Sequence, residues 1–321
     1  MANTNFTTLI ATTLQNFSNK IMDNVTTNNT LLRYLKRADN IKVVGGGRQF
    51  VHQLLYAQNS SFAARGKLDT ISTPVTDPVT ASEWEIKVVS GSIVLPTLDV
   101  AMNSGNREKL LDYVAAKKME AEVSMGEVLG DQLFTAGASV GANDFDSIPK
   151  IIADDPSTEA TAVGGMTGSA NSWWRNYIGS ATVSAFNSAQ HGINMIDTAL
   201  NESTFGTQGP KLIITTKKIF TLYMLGLTSN ARYTTMESGD SAFRTLMYAT
   251  LPFVADDNCT TDRLFGIDTD ALKLQVLGQG NFKQSPFQWS TTQLAESSLM
   301  YLFANVTCGS RRTQFVQTIS G

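Results

Sequence analysis

Side chains able to do chemistry are few in this sequence, and their spacing is poor. The 321 residues include two histidines and two cysteines. His52 falls in an alternating stretch that reads as a strand, and His191 lies near the start of a helical one. Neither has a Cys, Asp or Glu at metal-ligand spacing, and His-Glu-x-x-His does not occur. Asp154–Asp155 and Asp256–Asp257 are adjacent carboxylates, the raw material of metal binding or acid–base work. Neighbouring side chains on a strand point to opposite faces, so each pair reads instead as turn-forming aspartates. Gly45-Gly46-Gly47-Arg48 invites a phosphate-loop reading, but no Gly-x-Gly-x-x-Gly opens a helix there and no Gly-Lys-Ser/Thr follows; Gly66-Lys67 is followed by Leu68. The triplet reads as a flexible joint. No nucleophile elbow is read from the sequence. Cys259 and Cys308 have no partner motif and read as reduced thiols. No residue is assigned to catalysis, to a cofactor or to a metal, and the chain reads as a non-enzyme.

The elements that would have to position any site are more informative. Residues 106–136 read as one unbroken helix, rich in Lys, Glu, Ala, Leu and Met. Leu110, Val114, Ala121, Met125, Val128, Leu129 and Leu133 recur at three-, four- or seven-residue steps and predict an apolar stripe. Ser104 or Asn106 can cap its start, and Gly137 is expected to stop it in the left-handed conformation. Such a helix is roughly 45 Å long, more than a small domain needs. Its interior charges (Lys117, Lys118, Glu120, Glu122, Glu127, Asp131) oppose a membrane span.

Composition bounds the function class. Charged residues make up 17 % of the chain, below the roughly 25 % usual for soluble domains. A surface of Thr, Ser, Asn and Gln suits extensive contact with other copies, because little charge must be desolvated there. The net charge of −3 opposes tight nucleic-acid binding, which depends on neutralising phosphates. The opening residues show neither the basic nor the apolar region of a signal peptide, and no apolar run approaches 18 residues.

Read in order, residues 1–45 form a polar arm with two amphipathic pieces: Leu9, Ile10, Leu14, Phe17, Ile21 and Met22, then Leu31, Leu32 and Leu35. Lys20, Arg33, Lys36, Arg37, Lys42 and Arg48 outnumber Asp23 and Asp39, so the arm should pair with acidic neighbours. Gln49–Tyr56 and Glu83–Leu95 (Trp84, Ile86 and Val88 alternating) predict two strands of a long hairpin joined by a Ser/Thr/Asp/Pro-rich loop. Such a ribbon has little apolar surface of its own and should lie on another subunit. Phe145–Ile148 and Ile151–Pro156 read as strand and turn, followed by a Gly/Ser/Thr-rich loop ending at Trp173-Trp174-Arg175-Asn176. From about residue 186 an α/β unit begins. It has a helix at Ile193–Leu200, a buried strand at 212–215, a helix capped by Thr216, and strands at 251–255, 263–267 and 272–277. Residues 297–306 and 311–319 are expected to form a core hairpin crossing beneath the long helix. Leu299, Tyr301 and Phe303 on one face and Met300, Leu302 and Ala304 on the other imply that both faces are covered.

This order of parts resembles the major capsid protein of tailed bacteriophages, the Hong Kong 97-like fold. Several stretches carry the likeness: Gly45–Arg48 before the first hairpin strand, Ile148–Pro156 after the helix, Trp173–Asn176, Pro210–Thr216, Phe253–Asp257 and Asn305–Arg312. The resemblance implies an α+β fold with an N-terminal arm (1–45), an extended loop (46–98) and a peripheral domain (99–185) holding a spine helix at 106–136. An axial domain (186–284) follows, and a closing peripheral hairpin (285–321) ends the chain. It implies a structural protein that self-assembles as pentamers and hexamers into an icosahedral shell around double-stranded DNA, without sequence-specific binding. Scaffolding, portal and possible decoration proteins would be its partners, the virion its location, the host bacterial cytoplasm its place of assembly, and no membrane is involved. With about 45 residues before the loop, a separate scaffolding protein is expected. Some family members add a lysine–asparagine crosslink, for which Lys67, Lys87 and Asn305 are the candidates. The alternatives are an encapsulin-type nanocompartment shell, a monomeric α/β enzyme and a tail tube protein.

Overall fold

A computed structural model of the chain describes residues 30–320 apart from 38, 60, 69, 71–76, 104–106, 188, 227–244 and 249–250. The amphipathic stretch Leu9–Met22 and the candidate caps Ser104 and Asn106 lie outside the described residues. Leu31, Leu32 and Leu35 do share one buried face, on helix α1 (Thr30–Arg37). Asp256 receives the first turn of that helix, accepting from the Leu31 N–H and the Thr30 hydroxyl. A carboxylate at a helix N-terminus satisfies donors that have no partner within the helix. Helix α1, in the last third of the arm, is thus anchored on its own chain.

Two six-stranded sheets organise the described residues. In the first, β13 (Ala295–Cys308) is the central strand. Along one edge it pairs antiparallel with β4 (Lys87–Pro96) over ten residues. Along the other it pairs with β10 (Leu272–Leu277), β11 (Lys283–Gln284) and β12 (Gln288–Trp289). β1 (Ile41–Val44) runs parallel to β10 at the sheet edge. A short helix, α2 (Thr97–Asn103), follows β4, and the long helix α3 (Arg107–Phe134) lies over this sheet. Leu129 and Leu133 of α3 meet Leu32, Ile41, Leu274 and Leu302 around a void of only about 10 Å³, no larger than one water. The strand at residues 297–306 therefore does pass beneath the helix.

Gly137 does not act as a left-handed stop. It opens a short 3₁₀ turn (Gly137–Ser139), and its φ is not positive. A Cβ there would stand 2.9 Å from the Pro149 carbonyl oxygen, so close approach of backbone is what requires glycine. Residues 145–156 are not a strand. Ser147 caps a single helical turn, α4 (Ile148–Ile151), by accepting from the Lys150 N–H, with Pro149 in the first turn. The side-chain cap and the fixed proline φ outweigh the β preference of the isoleucines.

The second sheet has the order β5 (Tyr177–Thr182), β14 (Phe315–Ser320), β9 (Arg263–Ile267), β6 (Leu212–Thr215), β8 (Leu251–Ala255) and β7 (Thr245–Tyr248). Helices α5 (Val183–Asn187), α6 (Ala189–Ser203) and α7 (Lys217–Gly226) enclose one face with Ile196, Ile219, Phe220 and Phe253. The opposite face, with Ile214, Phe265 and Val316, joins the core under α3. Two strands change sheet relative to the sequence reading. β10 belongs with β13 in the first sheet, and β14 pairs with β5 and β9 in the second. The expected terminal hairpin does not exist, because six residues between β13 and β14 carry the chain from one sheet to the other.

Gly266 shows how tightly β9 and β14 meet. Phe315 is its register partner, and the Phe315 ring occupies the space a side chain would need. A Cβ at 266 would lie 1.9 Å from Phe315 Cε1. Gly266→Ala should therefore destabilise by about 1–3 kcal/mol or more through overpacking, measurable as a lower denaturation midpoint.

Candidate functional site

The residues first considered for chemistry are dispersed by the fold. Asp154 makes a two-pronged ion pair with Arg263 (2.9 and 2.8 Å), while Asp155 accepts from Ser157 and Thr158 in its own turn. Asp257 pairs with Lys217 at 2.5 Å, whereas Asp256 is buried, and burial pushes its carboxyl above the usual range. Cys259 and Cys308 are free and buried, and burial raises the Cys308 thiol to about 12. The His191 side chain lies outside the described residues. Among the described residues, no group of three or more His, Cys, Asp or Glu could hold a metal ion. No described helix is long and apolar enough to cross a membrane.

One motif escaped the sequence reading: Gly137-Ala138-Ser139-Val140-Gly141 fits Gly-x-Ser-x-Gly. An elbow needs a strand before the serine and a helix after it. Here α3 precedes it, and an Asp144 turn follows, in which the Gly141 N–H donates to Asp144 Oδ2. The pattern is a helix-ending turn.

What the fold does build is a set of surfaces. Strand β2 (Gln49–Leu55) pairs antiparallel with β3 (Val79–Glu85) as a separate two-stranded ribbon. The predicted return strand is split. Residues 79–85 return along β2, and after Ile86 the chain joins β13 as β4. The split also flips the buried phase: Trp84 is inward on the ribbon, but Val89, Ile93 and Leu95 are inward on β4, leaving Val88 exposed. A one-residue change of phase moves every side chain to the opposite face.

One face of the ribbon is supported within its own chain, which the sequence reading did not anticipate. Phe50, Leu54 and Trp84 bury one face on the chain's own body. Trp84 sits against the Val163–Met166 turn, where Gly164 and Gly165 have φ of +62° and +78° and a Cβ at Gly164 would come within 3.0 Å of the indole. Tyr56 stacks on Trp173 with ring centroids 5.3 Å apart. At the ribbon's root, Asn305 donates to the Glu85 carbonyl (2.7 Å) and to Asp146 Oδ2 (2.8 Å), and accepts from the Asp146 N–H (2.9 Å). Asn305 is fully buried and fully engaged, so it is not presented to a lysine of another molecule. Lys87 is occupied by Glu85 and the Ala142 carbonyl.

The opposite face of the ribbon is open and mixed, with apolar residues beside exposed Gln53, Glu83 and Glu85. Val51, Leu55 and Val79 alternate with the buried residues and remain exposed, Leu55 by 75 %, and the loop beyond them presents Phe62 and Leu68 at 85 % and 97 %. A second open surface lies on the far side of β4 and β13, where Val88, Val94 and Leu299 are exposed. The expectation that both faces of β13 are covered thus fails within the chain at Leu299, the exposed residue of that strand. Between β4 and α3, a cleft of about 360 Å³ is lined by Ile93, Val94, Ala121, Met125, Val128 and Met300 together with Lys117, Glu120 and three β4 residues of small side chain. Exposed large apolar side chains grouped in this way are candidates for contact with another surface. The sequence signal was present as apolar doublets (Leu54-Leu55, Val88-Val89) that fill both phases of a strand.

Among solved structures, the fold is shared with chains of particle shells. Over 88 % of this chain and 91 % of the other, it superposes on a chain of the cyanophage A-1(L) capsid asymmetric unit, with a TM-score of 0.62 at 12 % identity. A chain from the capsid of a native GTA particle gives 0.59 at 8 % identity, over 89 % and 90 %. One from a virus-like particle of Pyrococcus furiosus gives 0.52 at 9 %, over 95 % and 98 %. The sequence matches no protein-family model and no curated protein. At such identities the shared property is the fold, an α+β architecture resembling that of Hong Kong 97-like capsid proteins.

Proposed function

We propose that this chain is the major capsid protein of a tailed bacteriophage, a structural subunit that self-assembles into an icosahedral shell around double-stranded DNA. The observation that supports this best is likeness along nearly the whole length of capsid-shell chains. The exposed apolar side chains give that likeness a physical use. In a shell of repeated copies the outer face of the β2–β3 ribbon would be buried on a neighbour. Each fully buried Val or Leu side chain contributes about 1.5–3 kcal/mol to such a contact. In this reading residues 1–45 are the arm, 46–98 the extended loop, and α3 the spine of the peripheral domain. The sheet of β6, β8 and β9 with α5 to α7 is the core of the axial domain that gathers into pentamers and hexamers. Scaffolding, portal and decoration proteins are the partners, and the assembled particle in the virion is the location. The net charge of −3 suits a wall that lets DNA pack without sticking to it.

A second reading, an encapsulin-type compartment shell, is equally compatible with the shared fold, which extends to a chain of a virus-like particle from Pyrococcus furiosus over 98 % of that chain. Electron cryomicroscopy of particles formed by the purified full chain, with analysis of their content from the native source, separates these readings. Closed shells holding genomic DNA support the capsid reading, and shells holding a cargo protein support the second. A chain that stays monomeric at high concentration, alone and with its native partners, overturns both.

A further inference from the structure

His52 sits on the inward face of the ribbon, between Phe50 and Leu54, where β2 meets the first sheet. Its Nε2 lies 3.0 Å from Thr307 Oγ1 on β13 and 3.2 Å from Nε2 of Gln275 on β10. Both partners belong to the first sheet, and the Thr307 hydroxyl also reaches the Lys273 carbonyl, to which it can donate at 3.3 Å. Ser82, its register partner on β3, and Gln275 and Thr307 are uncharged. Lys273 on β10 is the charged group acting on the ring.

We propose that His52 is a pH-sensitive latch, holding the ribbon on β10 and β13 while neutral and releasing it when protonated. Protonation would place a second cation beside Lys273 in a half-buried site between the ribbon and the first sheet. Burial first, and Lys273 second, hold the docked imidazole below its ordinary value of 6.5. The released ribbon therefore binds the proton better than the docked one. Docking is at full strength above pH 6.5 and weakens as pH falls below it, by up to about tenfold per pH unit until the docked ring itself titrates. Glu85 at the ribbon's root, held below the usual carboxylate range by the Lys87 ammonium, stays charged through this window and adds no competing step.

Amide hydrogen exchange on the full-length chain, read by mass spectrometry between pH 7.5 and 5.5 and corrected for intrinsic rates, tests the latch. Protection of residues 49–55 and 79–85 should fall by up to about tenfold per pH unit below 6.5. It should be flat with pH in His52→Gln. Lys273→Gln should move the midpoint of the loss to higher pH, which a merely structural contact would not do, and this variant serves if His52→Gln fails to dock. Constant protection in the wild type, the same loss in His52→Gln, or an unmoved midpoint in Lys273→Gln would each overturn the proposal.

Discussion

Arg311→Ala should be the most damaging single substitution inside the subunit, costing about 3–5 kcal/mol of folding stability. Arg311 is fully buried. Its guanidinium grips both Glu159 oxygens (2.8 and 3.1 Å), donates to the Ile151 carbonyl at 2.6 Å, and lies 6.0 Å from the centre of the Trp174 ring. Truncation would leave a carboxylate without its counter-charge, a carbonyl without its donor and a gap beside an indole. Removing one partner of a buried pair is far costlier than removing both. Arg311→Met combined with Glu159→Gln should therefore recover much of the loss. Glutamine can keep the bond from the Gly168 N–H, which Glu159 Oε2 accepts at 3.0 Å. Arg311→Lys should behave more like alanine than a conservative change, because an ammonium cannot reproduce the planar fork. Chemical denaturation of the four proteins checks the order; equal stabilities of wild type and Arg311→Ala would refute it.

The position of this pair explains its weight. Arg311 lies in the short link that leaves β13 in the first sheet and enters β14 in the second. Glu159 and Trp174 belong to the segment that leads from α4 to β5, which also ends in the second sheet. The ion pair thus stitches both crossings at one point.

This crossing is also where sequence reasoning failed. Periodicity and turn residues located most strands well: 212–215, 251–255, 263–267 and 272–277 coincide with β6, β8, β9 and β10. Pairing is a different matter, since a run such as Leu272–Leu277 is equally apolar whichever sheet receives it. The Cys308-Gly309-Ser310 turn between two strands looks like a hairpin, and only the buried Arg311–Glu159 contact, 152 residues apart, says otherwise. The long helix was legible because its apolar stripe is local; Met125, Leu129 and Leu133 are buried as that stripe predicts. The ribbon's docking was not, because Trp84 is held by Gly164 and Tyr56 by Trp173, contacts that no local pattern encodes. Its outer face was legible in principle from Leu54-Leu55: when adjacent strand residues are both apolar, one faces the body and the other needs a different partner.

That last point leads to the largest expected effect on assembly. Leu55 and Val79 are directly opposed at the outer end of the ribbon and both exposed. Leu55→Asp with Val79→Thr should leave the isolated subunit within about 0.5 kcal/mol of wild type, as exposed positions usually do. The threonine keeps a β-branched side chain at the strand position. In an assembled shell the same change would place an unpaired carboxylate in a buried contact and remove two apolar side chains, a penalty of several kcal/mol at every copy of the interface. Because a closed shell repeats each contact, such a penalty should abolish particles and leave folded subunits or small capsomers. Sedimentation velocity and negative-stain imaging read the particles, and thermal denaturation of the unassembled fraction reads the fold. Normal particles from the double variant would show that this face is not part of the contact between subunits. Loss of the fold itself would show that the ribbon's outer face already serves its own chain.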